Sequence, residues 1–153
     1  MCLKKVMKMY NYERVYKAFI ALLLCLFTAN LFASGGPTPE QIEGTTKISA
    51  DDIFSLFEKH DNLVIIDSRA PADRSKGYIE GSIALPDDDT NKESLAKHIP
   101  SLDTPVVFYC NGVNCGRSVK ASKMAVKFGY KTIYWFRGGW EEWQKKGFPV
   151  AKD

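Results

Sequence analysis

Beyond residue 45, the apolar positions of this chain switch repeatedly between two spacings. Ile53, Leu56, Phe57 and His60 fall at i, i+3, i+4 and i+7, one face of a helix. Ser49-Ala-Asp-Asp52 just ahead offers an N-cap and acids for the positive end of the helix dipole. Leu63-Val-Ile-Ile66 is a short unbroken apolar run, the pattern of a strand buried on both faces. Gly77 to Pro86 is turn-rich around a brief apolar stretch, Ile83-Ala-Leu85. Lys92 to Ile99 reads as a short helix that Pro100 stops. Val106-Val-Phe-Tyr109 repeats the buried-strand pattern and runs directly into Cys110. Ala121, Met124, Ala125 and Phe128 form a second helical stripe closed by Gly129. Thr132-Ile-Tyr134 is a third strand, and Trp140 to Lys146 is a last short helix closed by Gly147. Strands alternating with helices predict an α/β domain over 45–150 with a mostly parallel sheet.

The start of the chain follows a different pattern. A basic stretch ends at Lys17, an apolar run spans Ala18 to Phe27, and small residues lead to Ala33. That order is the one of a secretory signal over 1–33, with cleavage expected near Ala33. The apolar run is shorter than the roughly 20 residues that span a bilayer, so an uncleaved anchor is the weaker reading. Cys25 suggests a lipid attachment site, but Leu24 before it is too large for one. Gly35-Gly36-Pro37-Thr38-Pro39 opens an expected linker over 34–44. The expected location is periplasmic or secreted, with no stable membrane span after cleavage.

Charge confirms this division. The 153 residues carry 21 bases and 18 acids. Five of those bases and one acid lie in 1–33, which leaves 16 bases facing 17 acids. A neutral domain has no electrostatic footprint for nucleic acid. Its length suits a single domain, with a monomer as the default. Cysteine usage narrows in the same way. Cys2 and Cys25 would leave with the signal, while Cys110 and Cys115 remain, five positions apart, in a compartment that permits disulfides. So close a pair closes only a tiny loop and cannot staple a fold, which points to a chemical use.

The chemistry is concentrated in Tyr109-Cys110-Asn111-Gly112-Val113-Asn114-Cys115-Gly116-Arg117-Ser118. A strand delivers Cys110 to its carboxyl end, where ligands of open α/β sheets bind. A polar loop and a helix start follow, and their amide groups form an anion cradle that also lowers a thiol's pKa. Gly112 and Gly116 suit a tight curl, and Asn111 and Asn114 tolerate left-handed backbone. Arg117 and Lys120 add positive charge. Cys115 has three readings: an inert loop residue, a resolving thiol for Cys110, or half of a metal site. His60 and His98 are the further soft ligands of the mature chain, and neither fits a Cys/His spacing, so no metal is expected. No nucleotide or dinucleotide loop appears, and no cofactor is expected.

Over roughly 45–150 the chain resembles the rhodanese family. Three pieces carry the likeness in order. The first is Val64-Ile-Ile-Asp67-Ser-Arg69 with Gly77-Tyr-Ile-Glu-Gly81-Ser-Ile-Ala-Leu-Pro86; the second is the Cys110 loop; the third is Gly138-Gly139-Trp140-Glu-Glu-Trp143 through Gly147-Phe-Pro149. The resemblance implies a small, mostly parallel sheet flanked by helices on both faces. It also implies a structural role for a cluster of Asp67 and Arg69 with Asp73 and Arg74. Trp135, Trp140 and Trp143 are expected to pack the last helix. The chain departs from the family at three points. Tyr78 stands where the family has histidine, and Asn111 stands where thiosulfate enzymes carry a basic residue. Arg117-Ser118 lie two positions further from the cysteine than usual, so either the loop is wider or its helix begins at Cys115.

The function implied is sulfur transfer. Cys110 thiolate would take sulfur from a small anionic donor as a persulfide and pass it to a thiol or cyanide-like acceptor. Loop residues Asn111 to Gly116 would stabilise the persulfide and Arg117 would hold the donor. Two alternatives stand beside it: a dithiol redox or persulfide-relay protein using Cys110 and Cys115, and a phosphatase or arsenate reductase. Arg117 is one residue beyond the Cys-x5-Arg spacing of the latter chemistry.

Overall fold

The computed structural model describes residues 38–152. The expected signal and the first residues of the expected linker lie outside them. Strand β1 (Thr46–Ile48) leads into helix α1 (Ala50–Lys59), which begins with a reciprocal capping box between Ser49 and Asp52. Strand β2 (Val64–Asp67) is followed by the short helix α2 (Pro71–Arg74), strands β3 (Tyr78–Ile79) and β4 (Ile83–Ala84), and helix α3 (Lys92–His98). Asn91 and Ser94 cap α3 as Ser49 and Asp52 cap α1. Strand β5 (Val106–Tyr109), helix α4 (Arg117–Lys127), strand β6 (Ile133–Phe136), helix α5 (Gly139–Lys145) and strand β7 (Val150–Ala151) complete the domain.

Five strands form one parallel sheet in the order β1-β6-β5-β2-β4. Alternation along β5 assigns its two faces. Val107 and Tyr109 pack with α1 and α5 through Ala50, Ile53, Leu56, Trp140 and Trp143. Val106 and Phe108 pack with α3 and α4 through Leu95, Ile99, Ala121 and Ala125. Helices therefore cover both faces, and β5 is buried along its whole length. From β2 the chain proceeds outward to β4; from β5 it proceeds the other way, to β6. The direction reverses between β2 and β5, so the crevice at their carboxyl ends is the fold's switch point. Asp67 and Tyr109 are register partners there, and Cys110 follows directly.

Four readings of the sequence change. Thr38 to Gly44, expected as linker, lies on the domain: Ile42 is buried with Val119 and Trp135, and Thr38 bonds to Val113. Phe57 is 46% exposed, so the buried stripe of α1 runs through Ile53 and Leu56. Phe54 instead stacks on Trp143 and meets Phe148 edge-on. The turn-rich segment holds β3, which pairs antiparallel with β7 in a separate two-stranded sheet. Strand β1, too short and polar to show an alternation, forms the edge beside β6.

Candidate functional site

Cys110 sits one residue past β5, 1% exposed, facing the first turn of α4. Its thiol donates to the Cys115 carbonyl oxygen at 2.9 Å, and its sulfur lies 3.1 Å from Ser118 Oγ. The Trp135 indole N–H donates to the same Oγ at 3.1 Å. That bond occupies the hydroxyl's acceptor side and leaves its proton to point at the Cys110 sulfur. Ser118 and Trp135 are thus part of the site, although the sequence presents one as a motif neighbour and the other as core. Helix α4 has no side-chain cap, so its first amide groups stay free for the two sulfurs. Its start at Arg117 also decides between the two readings of the long Cys-to-Arg spacing: the loop is wider.

The two cysteines shift in opposite directions, Cys110 holding its proton and Cys115 giving its own up more readily. The bond to Cys115, followed by burial, pushes the Cys110 thiol well above its ordinary value. The nearby Cys110 thiol, supported by the backbone N–H groups of Arg117 and Asn111 and by the Arg117 charge, outweighs burial and lowers Cys115 to about 6. The loop's field is expected to act on Cys110; Ser118 does favour that thiolate, but the net lowering falls on Cys115. The physical reason is position. Cys115 stands in the amide cradle half exposed, while Cys110 lies beneath it.

The loop is shaped by packing rather than by left-handed backbone. No residue from Asn111 to Arg117 has a positive φ, so the left-handed backbone expected at Asn111 and Asn114 does not arise. Gly112 is buried, and a Cβ there would lie 2.3 Å from the carboxylate of the exposed Glu141, which would have to swing aside. Cys115 N–H closes a turn onto the Gly112 carbonyl at 2.9 Å. Val113 is exposed at the rim and its carbonyl accepts from both the amide and hydroxyl of Thr38. Asn114 and Gly116 are exposed. The start of α5 pins the loop's first residues, since Trp140 N–H donates to the Cys110 carbonyl and Glu141 N–H to that of Asn111, both at 2.8 Å. Gly139 makes this approach possible with φ +55°, where a Cβ would meet the Cys110 oxygen at 2.2 Å. Gly139→Ala is therefore expected to cost about 2–3 kcal/mol in chemical denaturation, and to lower activity with it; a variant as stable as the parent would contradict this account.

Two charged groups surround the crevice. Beneath it, the side chains of Arg69 and Asp67 are both 0% exposed and meet at 2.7 Å, with Arg74 on the same carboxylate at 3.0 Å. Tyr109 donates its hydroxyl to Asp67 at 2.8 Å, and burial followed by the Asp67 charge raises that phenol, keeping it protonated. Asp73, expected in this cluster, lies instead at the rim. It accepts from Asn111 Nδ2 at 2.9 Å and pairs with Arg117 at 3.3 Å, and the Asn111 bond leads the effects that hold its carboxyl low. Arg117 also meets Asp87 at 3.5 Å, and Lys120 meets Asp87 and Asp88 at 3.1 and 2.6 Å. The cations expected to hold an anionic donor are already matched by carboxylates, which spacing along the chain could not reveal. Among the described residues, no group of three or more His, Cys, Asp and Glu side chains converges to hold a metal ion.

Comparison with known proteins agrees with this geometry. The model of the rhodanese-like domain matches residues 49–146. A mitochondrial protein of Schizosaccharomyces pombe, whose name proposes thiosulfate sulfurtransferase activity, is 33% identical over 141 residues, covering 79% of this chain and 97% of its own. A rhodanese domain-containing protein of Drosophila melanogaster is 28% identical over 98 residues, covering 57% and 86%. Among solved structures, the polysulfide-sulfur transferase homodimer of Wolinella succinogenes superposes with a TM-score of 0.59 at 24% identity, covering 72% of this chain and 80% of that one. A Bacillus halodurans protein gives 0.61 at 20% identity, covering 71% and 77%.

Proposed function

The chain belongs to the rhodanese-like family, and on that premise we propose that it is a sulfurtransferase whose Cys110 accepts sulfane sulfur as a persulfide and passes it to a thiophilic acceptor. One observation carries the reading. The Cys110 sulfur stands at the carboxyl end of a buried strand, against a helix start and a hydroxyl that Trp135 orients toward it. In the loading step, the Cys110 proton passes to the Cys115 thiolate as Cys110 attacks the donor's outer sulfur. The donor's bond to that sulfur breaks, and the spent donor leaves with the bonding pair. Ser118 and the first amides of α4 then stabilise the charge on the persulfide. A thiol or cyanide attacking its outer sulfur returns Cys110.

Loading with a sulfane donor, removal of the donor and intact mass measurement test the proposal directly. The expected result on protein lacking the second thiol, loaded to completion with water or buffer taking the Cys110 proton in place of Cys115, is a gain of about one sulfur atom that cyanide removes as thiocyanate. Protein that takes up no sulfur from any sulfane donor would overturn it. The phosphatase reading draws no support from Arg117, which is held by Asp73 and Asp87.

Those carboxylates also bear on the donor. With Arg117 already paired, a donor of low charge fits better than dianionic thiosulfate. Asp73→Asn is expected to raise kcat/KM for thiosulfate about fivefold, the scale of ~1 kcal/mol for one half-exposed charge, and for a monoanionic thiosulfonate only about twofold, since half the charge feels half the energy. Equal effects on both donors would show that Asp73 does not set the preference. Export, supported by the basic-apolar-small order of residues 1–33, would set this chemistry in a compartment that permits disulfides.

A further inference from the structure

We infer that Cys115 discharges the sulfur loaded on Cys110, closing a Cys110–Cys115 disulfide and releasing hydrogen sulfide. The inference rests on the sulfur-loading reading above and adds an internal outlet to it.

The loop places the second thiol over the first. The turn from Gly112 to Cys115 folds the chain back, so that the Cys115 carbonyl reaches within 2.9 Å of the Cys110 sulfur. The two cysteines thus lie against each other on one loop, the backbone of the second on the thiol of the first. Both are free, and only Cys115 is open to solvent. An external acceptor has to reach a sulfur 1% exposed, whereas Cys115 already stands on the same loop with its carbonyl against that sulfur. A nucleophile held in place acts at an effective concentration no dissolved thiol attains. Its environment also favours the thiolate, through the nearby Cys110 thiol and the amides of Arg117 and Asn111.

The step balances without an external oxidant. During loading, Cys115 takes the Cys110 proton. It then returns that proton to the outer sulfur of the persulfide and becomes a thiolate again. Cys115 Sγ attacks Cys110 Sγ, the Sγ–Sγ bond forms, and the bond to the outer sulfur breaks. HS⁻ leaves with the electron pair and the proton. The sulfane sulfur is reduced to sulfide while two thiols are oxidised to a disulfide. An external dithiol restores the resting pair by thiol–disulfide exchange. The bridge closes a loop of few residues, so it constrains the unfolded chain little and serves as a reactive bond rather than a staple.

The test uses the wild-type domain, Cys115→Ser and Cys115→Ala, reduced and kept under nitrogen. Each is treated with one equivalent of benzenethiosulfonate, which leaves as the sulfinate, so every sulfide counted has come from the protein. The expected wild-type result is about one sulfide per chain, together with protein lighter by two hydrogens. Both variants lack the proton acceptor and load more slowly, with water or buffer taking the proton; once loaded to completion they are expected to keep the added sulfur and to release at least about tenfold less sulfide. Wild-type protein that retains the added sulfur and forms no disulfide would overturn the inference and leave sulfur transfer standing. No sulfur on any of the three proteins, with no sulfide, would overturn the loading reading and this inference with it.

Discussion

Replacing Cys110 with serine is expected to abolish sulfur transfer, lowering the rate at least about 10³-fold, the scale seen when a nucleophile is removed. The decisive point is that the fold should not notice. A serine hydroxyl at this position can donate to the Cys115 carbonyl and approach Ser118 Oγ, the same partners the thiol has now. The buried polar group stays satisfied, so its cost is small. The oxygen, however, cannot form a persulfide. Thiocyanate formation measured with cyanide and a thiosulfonate, beside the thermal midpoint of the same preparation, separates chemistry from stability. Transfer at the parental rate would remove Cys110 from its role, whatever the fold resembles. A large drop in the midpoint would mean instead that the sulfur packs the loop, and the activity would then decide nothing.

Much of this arrangement is written locally in the chain. The runs Leu63 to Ile66 and Val106 to Tyr109 read as buried strands because both of their faces are covered, and the register pairs them as neighbours. The Ser49 cap and Gly147, with φ +68°, likewise act within a turn of their own sequence. What could not be read are relations between distant segments. Asp73 looks like a companion of Asp67 until the fold carries the Cys110 loop over it and Asn111 claims its carboxylate. Trp135 looks like core, which it is, yet its one polar atom orients Ser118 across 17 positions. The ownership of the amide cradle was equally hidden. Spacing locates Cys110 and Cys115 on one loop, but only the folded loop, through their mutual interaction, the burial of the first and the amides around the second, assigns the proton to Cys110 and the thiolate to Cys115. Strands β3 and β7 consist of two residues each and exist only because the C-terminal end of the domain returns to the turn-rich segment after β2.

Arg69→Met is expected to destabilise the domain by about 3 kcal/mol, the lower end of the cost of breaking a buried ion pair by removing one partner. The guanidinium is fully buried. It donates to both Asp67 oxygens and to the Gly77 carbonyl at 2.8 Å, and it lies over the rings of Tyr109 and Trp140. Methionine would keep much of the volume and strand the Gly77 oxygen and part of the Asp67 charge. Arg74 and the Tyr109 hydroxyl remain on that carboxylate and limit the loss. Lysine should rescue little, because a point charge cannot serve three acceptors in the plane of a fork. The pH dependence identifies the cause. Burial opposes ionisation of Asp67, but Arg69's bonds and charge outweigh it, so the carboxyl lies below its ordinary value. A lowered acid stabilises the folded state above the unfolded value of about 3.9 and loses that contribution as pH falls through the folded value. The gap between parent and variant in urea should therefore be full at pH 7 and narrow below about pH 4. Asp67→Asn/Arg69→Met should lose less than the two single changes added together, since it leaves no buried charge without its partner. A gap at pH 7 under about 1 kcal/mol, or one that does not narrow in acid, would mean that packing around Tyr109 and Trp140, not the ion pair, holds the floor of the crevice.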